Sequence, residues 1–261
     1  MGTSTVQDRQ RGERAHRTGV VVNFLLAVIK TLGGLASGST ALLADGYHSF
    51  ADLVTNGIAW LSFRVAARPP DDDHHYGHGK AEAAAGVFVG TVLVVVGLSV
   101  LWQALARSGP TYVGGEAWIA VGIALVSIAA NEWLVRVTRR SAEELDSHAL
   151  RALARDNRSD ALSSILVIAG VLGGVIGMAW AEPFATAVIG VFIAIMGYRS
   201  CGEGFDVLMD RVPPDLAPRI ADVARGVAGV EDVQEVAIHP LGSAQRVDME
   251  VSFDGDLSVR K

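Results

Sequence analysis

The chain has 261 residues, 50% of them apolar and only 19% charged, with 29 glycines and a mean hydropathy of +0.34. Soluble domains carry about 25% charge, so apolar runs of this length exclude an ordinary water-soluble domain, and the single cysteine, Cys201, excludes an intrachain disulfide framework and a thiolate metal cluster. The net charge of -6 resides in the stretch Cys201–Lys261, where 12 acidic side chains outnumber 6 basic ones, and an acidic tail on a neutral apolar body argues against nucleic acid as a partner.

Residues 1–17 form a hydrophilic arm with Arg9, Arg11, Arg14 and Arg17 and no apolar signal-peptide core, so the first span is expected to direct its own insertion. That span, Gly19–Leu35, is interrupted only by Asn23 and Lys30. The second, Thr40–Phe63, is apolar apart from Asp45, His48, Asp52 and a few uncharged polar residues. The third lies in Ala83–Ala106, 24 residues without a charge. As a helix at ~1.5 Å per residue this is ~36 Å, enough to cross the hydrocarbon core. The fourth, Ala117–Val135, contains Asn131 and Glu132. The fifth, Ala161–Ala181, is uncharged over 21 residues and is entered through Asp156 and Asp160, and the sixth is Pro183–Tyr198. The expected architecture is an all-α six-helix transmembrane bundle over 18–208.

Lys and Arg set its orientation. They gather in the N-terminal arm, in the loop after span two (Arg64, Arg68, Lys80) and around the loop after span four (Arg136, Arg139, Arg140, Arg151, Arg155). The alternate loops carry only Arg107, so both termini are placed in the cytoplasm. Residues 209–261 read as a small cytoplasmic α/β domain. Asp210–Pro214 breaks the last span, Asp215–Val227 is helical, and Val233–His239 and Arg246–Phe253 are strands joined through Pro240–Ser243. In the second strand Val247, Met249, Val251 and Phe253 share one face. About 50 residues make a thin core, so this domain is expected to pair with a second copy or to be incomplete.

A carboxylate at mid-bilayer costs about 2.5–3.5 kcal/mol. Yet span two carries His48 and Asp52 four residues apart, and span five opens with Asp156 and Asp160, also four apart. Two helices that each present an i, i+4 pair can close a tetrahedral cage around a divalent metal. Each residue alone has a plainer reading, such as Asp156 pairing with Arg155 or Arg158, or Asp45 being the partner of His48. The duplicated spacing favours the metal site. A second cluster, Asp71-Asp72-Asp73-His74-His75-Tyr76-Gly77-His78-Gly79-Lys80, offers oxygen and nitrogen ligands in the loop after span two.

The stretch Gly38–Asp52, the loop Tyr76-Gly77-His78-Gly79-Lys80-Ala81-Glu82 and the fifth-span Asp156-Asn157-Arg158-Ser159-Asp160-Ala161 resemble, in order and spacing, three motifs of the cation diffusion facilitator family. The resemblance covers all six spans and the opening of the tail. It implies a homodimeric secondary transporter, not an enzyme, that exports divalent cations from the cytoplasm to the outside or an organelle lumen in exchange for protons. By position, His48, Asp52, Asp156 and Asp160 become the transport site, and Asp71, His74 and His78 a loop metal site. Lys80 and Asp210 become a charge pair between the membrane part and the tail. It further implies a ferredoxin-like regulatory and dimerisation domain over 209–261, which this chain carries in incomplete form, with Gln234 and Glu250 where some members have tail histidines.

The fifth-span motif is similar to that of magnetosome-associated members, and an Asp-rich site is similar to that of manganese carriers. One imidazole and three carboxylates form a hard set suited to Fe²⁺, Mn²⁺ or Zn²⁺. Iron or manganese ranks slightly ahead, and the expected location is the cell (inner) membrane or a bacterial organelle membrane. With neutral histidine, three carboxylates and M²⁺ sum to -1, and protons compete for the same ligands when the metal leaves. The alternative is a membrane scaffold that recruits partners to a metal-handling compartment and transports little. An intramembrane metalloprotease is excluded by the absence of a His-Glu-x-x-His motif.

Overall fold

Long apolar runs punctuated by glycine and serine give six successive long helices. They are α1 (Gly2–Ser37), α2 (Thr40–Ala66), α3 (Ala81–Ala106), α4 (Glu116–Glu144), α5 (His148–Val175) and α6 (Ala181–Leu208). A short helix α7 (Leu216–Arg225) and strands β1 (Val230–Leu241) and β2 (Ala244–Phe253) follow in the tail. The computed structural model describes residues 2–66, 68–106, 115–144, 148–241 and 244–253. Arg107 and the centre of the expected β1–β2 turn, Gly242-Ser243, lie outside the described residues.

Among the described residues five helices are long and apolar enough to cross a membrane: Arg17–Ser37 of α1, Ala81–Ala106, Glu116–Glu143, Leu150–Val175 and Ala181–Leu208. The hydrophilic arm is helical too, continuing α1 back to Gly2. Helix α2 has 27 residues, one more than α3. Its inner face carries Asp45, His48, Ser49 and Asp52, and that polar content separates it from the other five.

The distribution of side chains is that of a helix bundle in lipid. Small and polar residues are inside: Ala27, Ala41, Ala120, Ala124, Ser127 and Ser164 are fully buried. Large apolar ones such as Leu35, Phe88, Leu98, Trp102, Trp118 and Phe192 point outward. Association of helices in lipid depends on close backbone approach and internal hydrogen bonds rather than on apolar burial.

The chain divides into two compact units, Met1–Asn56 with Val92–Gly197 and Gly57–Thr91 with Tyr198–Lys261, so that α2, α3 and α6 contribute to both. In the first unit α4 packs along α5 and against α1. Glycines mark the tight crossings. A Cβ on Gly34 would stand 2.6 Å from the Leu43 nitrogen, and one on Gly97 2.6 Å from the Ala194 nitrogen. Gly170 and Gly173 admit Ala185 and Ala181 of α6. Gly177 has another role: at φ 92° it ends α5 in a Schellman turn, with Met178 N–H bonded to the Gly173 carbonyl at 2.9 Å. Ser39 caps α2 by accepting the Leu42 N–H at 3.2 Å, and it donates to Glu182 of α6 at 2.7 Å. The buried Glu182 carboxylate thus stands at the positive end of α2.

In the second unit α7 packs on β1, which pairs antiparallel with β2 from Val230↔Phe253 to Leu241↔Ala244. The helix, the two strands and the connecting order match the expectation. Ala221, Val233 and Ile238 are buried, but Met249 and Phe253 on the apolar face of β2 are exposed. The first turns of α3 lie close to the end of α6. Ser200 donates to the Gly86 carbonyl at 3.0 Å, and the Cys201 sulfur lies 3.5 Å from the Val87 carbonyl and 3.6 Å from Thr91 Oγ1. Helix α6 ends in a second Schellman turn, closed by Arg211 N–H on the Asp206 carbonyl at 2.8 Å. Here the left-handed residue, φ 58°, is Asp210 rather than glycine.

Candidate metal centres

Helical periodicity puts Asp45, His48, Ser49 and Asp52 on one face of α2, and Asn157, Asp160, Ala161 and Ser164 on one face of α5. The two faces meet in the first unit. His48 Nε2 lies 3.9 Å from Asp52 and 3.6 Å from Asp160, and one ligand atom from each of the three lies within 4.8 Å of the others. His48 and Asp160 are buried and Asp52 is half-buried. Asp156 is exposed on α5 and is outside this group of three. The buried residue at that turn is its neighbour Asn157, whose Oδ1 accepts from Asn23 Nδ2 at 3.1 Å.

Beneath the trio runs a polar network that charge content alone did not assign. Lys30, fully buried, places Nζ 3.0 Å from Asp45 and 3.0 Å from Ser49 Oγ. Ser163 and Ser164 donate to the two oxygens of Asp45, the latter at 2.8 Å. Ser164 Oγ is 3.1 Å from Ser127 Oγ, which accepts from Asn131 Nδ2 at 3.4 Å. Asp45 is therefore the partner of Lys30 rather than of His48. The cue in the sequence was the stripe of serines beside it, at i+3 and i+4 from Asp160.

The second cluster lies in the loop of the second unit. Asp71 Oδ1 faces His74 Nδ1 at 3.0 Å, and Oδ2 faces His78 Nε2 at 3.4 Å. The two rings stand 4.3 Å apart, centroid to centroid. The same carboxylate accepts the backbone N–H of His74 at 2.7 Å and of Asp73 at 3.2 Å. The His74 hydrogen bonds hold its pKa below the usual carboxylate value. One carboxylate and two imidazoles with atoms this close can bind a divalent cation.

Lys80 Nζ meets Asp210 Oδ1 at 2.8 Å, so the expected charge pair is formed within the second unit. His239 Nδ1 reaches the other Asp210 oxygen at 3.0 Å, and its Nε2 stands 3.8 Å from Asp248. Asp248 holds Arg246 at 2.9 Å, and the guanidinium lies over the Tyr76 ring at 4.5 Å. Lys80 first, then His239, depress the Asp210 pKa. The loop, the end of α6 and both strands are tied by this chain of charges, of which the sequence suggested only the first link.

Residues 17–209 match the cation efflux transmembrane domain. The chain is 29% identical over 266 residues to metal tolerance protein C1 of Arabidopsis thaliana, covering 96% of this chain and 56% of that protein. It therefore spans little more than half of that relative. It is 30% identical over 252 residues to the manganese efflux system protein MneP of Bacillus subtilis, covering 93% and 84%. Similarity to the magnetosome protein MamB of Magnetospira is 30% over 239 residues, covering 91% and 82%. With the family's domain matched across all six long helices, the chain belongs to the cation efflux family, the cation diffusion facilitators, which are membrane transporters of metal ions and not enzymes.

Proposed function

We propose that this protein exports a divalent transition metal from the cytoplasm in exchange for protons. The observation that carries the reading is the meeting of His48, Asp52 and Asp160 inside a bundle of lipid-facing helices. Two carboxylates and a neutral imidazole balance M²⁺ to zero net charge, which suits a site of low polarity. Asp156, one turn along α5, delivers or receives the ion at the mouth of the site. When the metal leaves, protons take the same oxygen and nitrogen atoms, so proton entry and metal exit are linked by competition. Mn²⁺ or Fe²⁺ ranks ahead of Zn²⁺, in keeping with the oxygen-rich ligand set and, for Mn²⁺, with the name of the manganese-efflux relative.

The loop site Asp71–His74–His78 senses the same cytoplasmic metal, and Lys80–Asp210 couples it to residues 209–261. Those residues act as a regulatory and dimerisation domain of ferredoxin-like type. The exposed strip of Met249 and Phe253 supports pairing with a second copy, and the arginine-rich arm and loops support cytoplasmic termini. The six helices span an inner or organelle membrane, α2 crossing with its polar face turned to its neighbours.

Proteoliposomes under an imposed proton gradient test this directly. Uptake of Mn²⁺, Fe²⁺ or Zn²⁺ should require the gradient and fall by at least about 10-fold in Asp52→Ala and Asp160→Ala. A folded wild-type protein that moves none of the three metals would sink the transporter reading.

A further inference from the structure

One buried group near the transport site has no use in the reading above. Asn131 of α4 is 1% exposed, and its Oδ1 has no hydrogen-bond partner. It lines the same cavity as Asp52 and Asp160, together with Asn23, Ser49 and Asn56. A buried acceptor without a partner costs about 1–3 kcal/mol. A donor or a cation visiting the oxygen would relieve that cost.

The orientation of this amide is set by its neighbours. Asp45, facing the Lys30 ammonium, acts as an acceptor at the end of the chain. Ser164 has one hydrogen and gives it to Asp45 at 2.8 Å. Ser127, 3.1 Å from Ser164, turns its own hydrogen to that hydroxyl and has only lone pairs left for Asn131. The Asn131 NH₂ therefore points at Ser127, 3.4 Å away, and the oxygen faces the cavity. Asn23 also has an unpartnered Oδ1, but its pairing with Asn157 can be exchanged end for end, so nothing fixes which of its atoms faces inward.

We infer that Asn131 presents its amide oxygen to the translocating cation and is a specificity-determining ligand beside His48, Asp52 and Asp160. The inference rests on the reading of that trio as the transport site. An amide oxygen adds a hard, neutral donor without changing the net charge. Oxygen-rich sets with higher coordination numbers suit Mn²⁺, whereas Zn²⁺ is content with four ligands and an imidazole. Asn131 thus favours Mn²⁺ over Zn²⁺.

The test is equilibrium Mn²⁺ binding to the purified full chain, followed by electron paramagnetic resonance, with Zn²⁺ as competitor and proteoliposome flux measured on the same preparation. Asn131→Leu, which keeps the volume and removes the oxygen, should weaken Mn²⁺ binding by about 10-fold or more and leave Zn²⁺ nearly unchanged. Asn131→Asp, which keeps an oxygen there, should retain Mn²⁺ affinity, and it decides the matter alone if the leucine variant does not stay monodisperse. An equal loss for both metals in Asn131→Leu, an unchanged Mn²⁺/Zn²⁺ ratio, or loss of Mn²⁺ binding in Asn131→Asp would overturn the inference. The transporter reading fails separately, when the wild type binds Mn²⁺ through Asp160 but carries none across the membrane.

Discussion

Lys30 and Asp45 are the most consequential buried residues outside the metal trio. Neither side chain is exposed, and their ion pair is surrounded by serine hydroxyls from α2 and α5. Removing one partner of such a pair strands the other charge, at a cost of about 3–5 kcal/mol, whereas replacing both can be neutral. Lys30→Met should therefore lower the thermal unfolding temperature of the detergent-solubilised protein sharply. The double variant Lys30→Met/Asp45→Asn should recover most of that loss. Equal destabilisation by the single and double variants would mean that the pair is not the source of the effect.

Among the elements, α3 and α6 cross at Gly97 with no room for a side chain. Gly97→Leu pushes against the Ala194 backbone, which cannot yield as a flexible side chain would, and overpacking of this kind costs about 1–3 kcal/mol or more. The variant should express with reduced thermal stability, while Gly122→Leu on α4, where no atom stands within 4 Å of the added carbon, should behave like the wild type. The elements were largely legible in the sequence because uncharged runs such as Ala83–Ala106 and the alternation Val247–Phe253 each have one periodic explanation. Helix rotation was less legible. Four-residue spacing put Asp156 and Asp160 on one face, but the buried stripe of α5 runs through Ala154, Asn157, Asp160, Ala161 and Ser164. Asp156 falls beside that stripe, and its neighbour Asn157, an amide without charge, gave no signal. Motif spacing found the residues that bear charge. It could not find Asn131 or the serines, whose roles come from which hydrogen is committed to which neighbour.

For the whole molecule, the charge chain of the second unit makes a statement about pH. The Asp210 pKa is depressed below the ordinary value of 3.8, so the stability it contributes is fully present above that value and is lost only as pH falls below it. Protection against hydrogen exchange, taken relative to the intrinsic rate at each pH, should be the same at pH 7 and pH 5 at the end of α6 and along β1 and should fall near pH 3. Loosening already at pH 5 would assign the contact to another group. Because Lys80 and Asp210 are each about a third exposed, at 37% and 32%, Asp210→Asn should change global stability by no more than about 1 kcal/mol. Its effect should appear instead as faster proteolysis between α6 and α7.

The sole thiol supplies a gauge for the place where side chains of α6 meet the backbone of α3. Cys201 is half-buried against Val87 and Thr91, so a bulky maleimide reaches it faster when those two helices part. Its labelling rate in the otherwise cysteine-free chain therefore rises with their separation, without any engineered probe. Should loop metal and tail reach the membrane helices through this end of the bundle, that rate will change with metal before any flux is measured.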